Sequence, residues 1–409
     1  MRKALLLGFA AGLMLLASQA MANAYCAAPP TCTDNGGFIG SISTFDTNYI
    51  SLLMSTNNGF DVLVDQDTVI GRTPHHIWAD VTLGSASLSA NIGVNFTGYD
   101  FYLGTKKINR TVEVSDLTLI KTDLNTGVSL SFAGSDNNIS LTESTINFSS
   151  QDPVFSTSAP LTINALSGTN RFTSFEGNID SLSTAINVSS GATLDFYLAG
   201  SLGSTGTPLY FRSAVTGLVD GGTLSFDRSN VRFNSSSFTF QNSATLSLSQ
   251  SNTTATFDYL SLDNSQANLD NNTSLVATDA TLSNATLSFN SGALFSADIL
   301  RVTGDTTISG SESVGSGVDA GIGLFSANTT YTQNSSLSSF NRLYLYDGTD
   351  VEINDGTFTV HTVYADPHAA TVADINVNSG GTQSITGGVH PSNRLVDITV
   401  ANCGLLNVD

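Results

Sequence analysis

The sequence predicts an all-β chain folded as a right-handed parallel β-helix, a β-solenoid of short stacked coils with a cap at each end. Three observations predict it. Apolar residues recur at every second position in short runs. Asn and Gly turn signals return after about twenty residues. Lysine is confined to the first third of the chain, and only 12% of residues are charged, against 40% hydrophobic.

The strands are legible one by one: Leu130-Ser-Phe132, Leu194-Asp-Phe196, Leu224-Ser-Phe226, Phe238-Thr-Phe240, Leu246-Ser-Leu248, Leu260-Ser-Leu262 and Leu287-Ser-Phe289. The residues between the apolar ones are Ser, Thr, Asn and Asp, which suit a solvated strand face. Strong helix formers are scarce. A recurrent turn leads into the strands: Gly191-Ala-Thr-Leu194, Gly221-Gly-Thr-Leu224, Asn242-Ser-Ala-Thr-Leu246, Asn264-Ser-Gln-Ala-Asn-Leu269, Asn284-Ala-Thr-Leu287 and Asn290-Ser-Gly-Ala-Leu294. Leu224, Leu246, Leu269 and Leu287 then mark successive coils, spaced 22, 23 and 18 residues apart. Asn242, Asn264 and Asn284 are expected at turns, and Leu246, Leu248, Leu260 and Leu262 in the core.

Stacking explains the composition. Parallel coils set like residues above one another, so inward Leu, Phe, Val and Ile form ladders and turn Asn can hydrogen-bond to Asn. Stacked like charges would repel, which disfavours Lys and Glu. Two other architectures compete. An outer-membrane barrel needs strands of about ten residues and aromatic girdles, and this chain has one Trp. Two antiparallel sandwiches need hairpin turns every 8–12 residues or so.

The first residues address the chain. Arg2 and Lys3 precede an apolar stretch over residues 4–17, and Ala20-Met21-Ala22 or Ala22-Asn23-Ala24 fits signal-peptide cleavage. The apolar stretch is short for a membrane span of about 20 residues. Residues 1–24 therefore read as a signal peptide, with no transmembrane segment left after cleavage. The mature chain is expected to be exported, passing through a periplasm to the cell surface or beyond. In that compartment Cys26 and Cys32 read as a disulfide closing a proline-containing loop, with Cys403 free. A net charge of −20 argues against nucleic-acid partners, since nothing neutralises a phosphate track. Residues 25–110, with Trp78 and a mixed pattern, read as an N-terminal cap and first coils, residues 111–360 as β-helix, and residues 361–409 as final coils and cap.

The Asn-Ser-x-x-Leu turns, Leu-Ser-Phe and Leu-Ser-Leu strands, lysine poverty and signal peptide together resemble secreted bacterial β-helix proteins, above all autotransporter-type passenger domains and related surface adhesins of the bacterial outer membrane. The resemblance covers about residues 110–360 and rests on composition and pitch. The chain departs from classical autotransporters in having no translocator barrel after residue 400. The resemblance implies adhesion, surface display or polymer binding, and it transfers no particular residue.

Chemistry-bearing constellations are few. His361, Asp366 and His368 are the best candidate ligands for a metal, but the spacing matches no zinc motif and suits the polar residues of a cap. His75 and His76 alternate faces if extended and suit a turn. Asp61, Asp65 and Asp67, and Asp347, Asp350, Glu352 and Asp355, offer clustered oxygens for calcium, yet turn chemistry explains them better. The Asp-Asp and Gly-His-Gly motifs of β-helix pectinases are absent, and Gly310-Ser-Glu-Ser-Val lacks the second glycine of a nucleophile elbow. No catalytic, cofactor or metal residue is therefore assigned. The sequence points to a non-catalytic, adhesin-like protein that binds or displays a glycan or protein at an extracellular surface. A β-helix polysaccharide-degrading enzyme and a structural coat or matrix component are the alternatives.

Overall fold

A computed structural model describes separate strands from Val62 to Phe132 and then residues 137–408, apart from short gaps at 149–154, 175–176, 199–208, 229, 311–315, 335, 366–370, 391–395 and 402–403. The signal peptide, Cys26, Cys32, Cys403, Trp78, Asp61, Asp65 and Asp67 lie outside the described residues, as do Asp366 and His368. The chain divides into two compact units: Met1–Ile163 with Asp180–Leu182, and Asn164–Ile179 with Ser183–Asp409. Among the described residues every element is a strand.

In the first unit the strands pair in parallel as three columns. One runs through Val62–Val64, Ser87–Asn91, Asp116–Ile120 and Asn137–Thr142. A second runs through His75–Ile77, Phe101–Leu103, Asp123–Thr126 and Thr145–Phe148. The third runs through Val81–Thr82, Val112–Val114, Leu130–Phe132 and Phe155–Thr157. Three columns visited in turn give a coil of three faces.

The second unit repeats this plan with two kinds of strand. Short strands Thr223–Asp227, Thr245–Ser249, Gln266–Leu269, Thr286–Phe289 and Thr306–Gly310 pair in parallel, each with the next. Between them run ten-residue strands, Thr254–Asp263, Ser274–Ser283 and Leu294–Thr303, paired in the same way. Burial along Ser274–Ser283 alternates, breaks at the two successive outward residues Thr278 and Asp279, then resumes. That break bends each long strand into two faces, so one coil of 20–24 residues carries three flat walls around a narrow core.

The core is a set of ladders. Leu194, Leu224, Leu246, Ala267, Leu287 and Ile308 stack in register, all fully buried. Two residues along the same strands, Phe196, Phe226, Leu248, Leu269 and Phe289 stack likewise. Phe172, Phe196 and Phe226 continue as rings 5.4 and 5.7 Å apart, within the favourable range for offset stacking. Leu246, Leu248, Leu260 and Leu262 are core, as expected. One expectation is corrected: Leu269 stands over Leu248, and the residue over Leu246 is Ala267. Alanine is inward but small, so a ladder traced through leucines jumps to the neighbouring column and makes the pitch look irregular.

The turns divide into two columns. Before the short strands, Gly191, Gly221, Asn242, Asn264, Asn284 and Gly304 all hold positive φ, between 47° and 73°. Asn and Gly tolerate this left-handed conformation best. Its consequence is a backbone ladder: Gly221 N–H donates to the Gln241 carbonyl at 3.0 Å, Asn264 N–H to Ser283 at 2.8 Å and Asn284 N–H to Thr303 at 3.2 Å. Asn272 and Gly292 occupy the second column, after the short strands. Asn290-Ser-Gly-Ala-Leu294 therefore belongs to a different turn from Asn242, Asn264 and Asn284, although the sequence motif looks the same. At Gly304 a Cβ would collide with the Asn284 side chain of the preceding coil.

Because Asn284 (φ 48°) sits in the left-handed region, Asn284→Val should destabilise the second unit by about 1–2 kcal/mol. Asn284→Gly should change stability by only a few tenths of that, losing chiefly the bond from Asp305 N–H to Asn284 Oδ1 (3.0 Å). Urea denaturation of the two variants checks the order.

Candidate functional site

The ladders turn apolar side chains inward, and two concavities lie on the outer walls and the bend. The bend within the long strands places Asp258, Thr278, Asp298, Gly321, Asn341 and His361 one above another. Just before it, Ser296, Asp319, Ser339 and Thr359 form a second outward column. Because Gly321 has no side chain, the surface drops there into a groove of about 460 Å³. Small polar side chains line most of it, with Asp298 and Asp319 towards one end and His361 and Thr386 towards the other. His361 Nδ1 lies 3.2 Å from Thr386 Oγ1.

The groove's described ionisable groups, Asp298, Asp319 and His361, stand on three different coils. Asp319 stands over Ser296, diagonal to Asp298, and His361 is two coils from Asp319, about 10 Å at the strand spacing of roughly 4.8 Å. That separation excludes a hydrogen-bonded acid–base pair. Asp298 and Asp319 are both exposed to water.

A second concavity lies at the far end of the long strands. Arg301 stands over Thr281 and under Leu324. Its Nε donates to Asp279 Oδ1 at 3.2 Å and its Nη2 to Asp279 Oδ2 at 3.0 Å. Ser326 and Ala327 in the next coil are small, and with Tyr346 and Asp347 they complete a notch of about 320 Å³.

The acidic group at Asp347, Asp350, Glu352 and Asp355 is dispersed over a strand and its two flanking turns, and its oxygens accept from the next coil or, at Asp355, from its own turn. Asp347 Oδ1 accepts from Thr371 N–H (2.6 Å) and from the Thr371 hydroxyl. Asn376 Nδ2 donates to both Asp350 Oδ1 and Glu352 Oε1 at 2.9 Å, and Asn378 Nδ2 to Glu352 Oε2 at 2.7 Å. Asp355 Oδ1 accepts from Gly356 N–H at 2.9 Å. These are turn and ladder contacts. Among the described residues no three His, Cys, Asp or Glu side chains converge as a metal site. His75 and His76, expected at a turn, instead lie in the strand His75–Ile77, parallel to Phe101–Leu103.

Sequence reading missed the bend and hence both concavities. A signal was present: the apolar spacing lengthens from two to three at Phe257/Leu260, Ala277/Ala280 and Ala297/Leu300, all of them inward. The Arg301–Asp279 pair spans 22 residues and becomes visible only once the register is known. Comparison with protein-family models, curated proteins and solved structures finds no match. The geometry therefore carries the functional argument alone.

One carboxylate in the ladder supplies a pH test. Asp350 has its carboxyl above the ordinary 3.8, because burial disfavours its charge and because Glu352 repels it; the Asn376 bond opposes the shift, and Asp374 adds further repulsion. An acid with a raised folded pKa is penalised when ionised, so the penalty is present at neutral pH and fades as the pH falls through that value. Asp350→Asn, which keeps the acceptor for Asn376, should raise the melting temperature by about 1–3 °C at pH 7 and leave it unchanged at pH 3, as followed by thermal circular dichroism.

Proposed function

We propose that this chain is an exported, surface-associated and non-catalytic β-helix protein that binds or displays a glycan, in the manner of the adhesins and autotransporter passengers its composition resembles. The observation that carries this reading is the groove at the bend. It presents one hydrogen-bonding side chain per coil, Ser296, Asp319, Ser339 and Thr359, at the strand spacing of about 4.8 Å. An extended polysaccharide lying along the stacking direction offers hydroxyl groups at a comparable rise. Each contact is weak and solvated, so strength would come from many points bound at once.

A polysaccharide-degrading enzyme is the second reading, favoured by the diagonal pair Asp298 and Asp319 in the same groove. Diagonal residues on neighbouring strands lie about 7–8 Å apart, within the range of an inverting glycosidase's carboxyl groups. Their exposure, and the absence of a histidine or arginine in hydrogen-bonding reach of either among the described contacts, favour binding.

The two readings separate on a panel of neutral and acidic polysaccharides. The binding reading expects retention on at least one insoluble polysaccharide, no release of reducing ends, and a loss of affinity of no more than about threefold in Asp298→Asn and Asp319→Asn, the weakening of one hydrogen bond. Release of reducing ends or unsaturated products, abolished by either substitution, would establish the enzyme.

A further inference from the structure

The notch between the coils of Arg301 and Tyr346 has the features of a built subsite. Arg301 is half-exposed, with 43% of its side-chain surface open, yet it is not a loose surface cation, because Asp279 holds one edge of the guanidinium through two bonds. Among the described residues the other terminal nitrogen, Nη1, has no hydrogen-bond partner. Its direction is fixed in advance, so a ligand would find a donor whose freedom is already lost.

The opposite wall is supplied by Tyr346, 42% exposed, and Asp347, whose Oδ1 is anchored on Thr371. Leu324 adds methyl groups, and Tyr344 and Tyr364, stacked 4.6 Å apart at 9°, stiffen the adjoining wall with ring faces turned to each other. The notch thus offers a donor, an acceptor, an aromatic ring and an apolar patch around about 320 Å³. A pyranose ring is the chemical match: hydroxyls in its plane and C–H groups on its faces. Charge selects further, since Asp279 already compensates Arg301 and Asp347 leaves the notch net negative.

We propose that this notch is a subsite for a single neutral pyranose residue of a glycan, with Arg301 Nη1 donating to one hydroxyl, Asp347 accepting from another, and Tyr346 and Leu324 covering a face of the ring. The proposal deepens the glycan-binding reading and rests on it. It is separable from the groove at the bend, which lies on the other wall, before the bend, while the notch lies after it.

The test uses saturation-transfer NMR and calorimetry on the full mature chain, with glucose, galactose, mannose and their β-linked hexasaccharides as probes and galacturonate as the acidic comparison. At least one neutral hexose should bind at about 1 mM, and galacturonate more weakly. Arg301→Lys, which keeps the charge near Asp279 but loses the fork, and Tyr346→Ala should each weaken binding about tenfold or more, with melting temperatures within about 2 °C of the parent. Hexasaccharide binding unchanged in both variants would overturn the subsite and leave the glycan-binding reading standing. Stronger binding of galacturonate would overturn the neutral assignment. An unmodified chain that binds none of the saccharides would overturn both.

Discussion

Everything in this molecule depends on one constraint: each residue of a coil sits directly over its counterpart in the next. Backbone hydrogen bonds then run from coil to coil, and a side chain's first neighbour is the residue about 20–24 positions away. An inward position must therefore be apolar in coil after coil, which yields the Leu194-to-Ile308 ladder. A turn must repeat one backbone shape, which yields positive φ from Gly191 to Gly304. An outward position must avoid stacking like charges, which leaves Ser, Thr and Asn as the default surface.

Where charges do stack, the structure supplies compensation. Arg171 lies over Asp195 and pairs with it at 2.7 Å, while its guanidinium carbon sits 5.0 Å from the Tyr197 ring. Arg301 reaches diagonally to Asp279. Asp350, Asp374 and Asp397 stack in register, and there Asn376 spans two carboxylates of the coil below. The Asn334–Asn354–Asn378 ladder beside it, with bonds of 2.9 and 2.7 Å, carries the same logic in neutral form. Charge is thus used sparingly and in fixed geometry. The Arg301 side chain is set apart by the notch beside it.

The fold was largely legible because stacking acts on residue types that the sequence displays openly. Leu246, Leu248, Leu260 and Leu262 declared the core, and Asn242, Asn264 and Asn284 declared a turn. The legibility failed where size and direction part company. Ala267 points inward yet adds little hydrophobicity, so the ladder over Leu246 was traced to Leu269. Asn290 looks like Asn284 in sequence, but one follows a short strand and the other precedes one. The concavities were harder still. The groove exists because Gly321 falls at a bend, and the notch because Ser326 and Ala327 are small between Thr303 and Tyr346; a missing side chain leaves no motif. His361, read from the sequence as a candidate metal ligand or cap residue, lines the groove instead, where its neighbour is Thr386, brought close by the next coil.

The most direct measurement of in-register stacking is a series of electron-spin distances in the second unit. Nitroxide labels would replace Thr239 paired with Tyr344, then Ser261 with Tyr344, in a chain whose native cysteines are serine. Thr239, Ser261, Thr281, Arg301, Leu324 and Tyr344 follow one another over six successive coils. Stacking predicts about 24 Å for the first pair and about 19 Å for the second, one strand spacing less. Distances that do not shorten by that step, or that reverse their order, would contradict it.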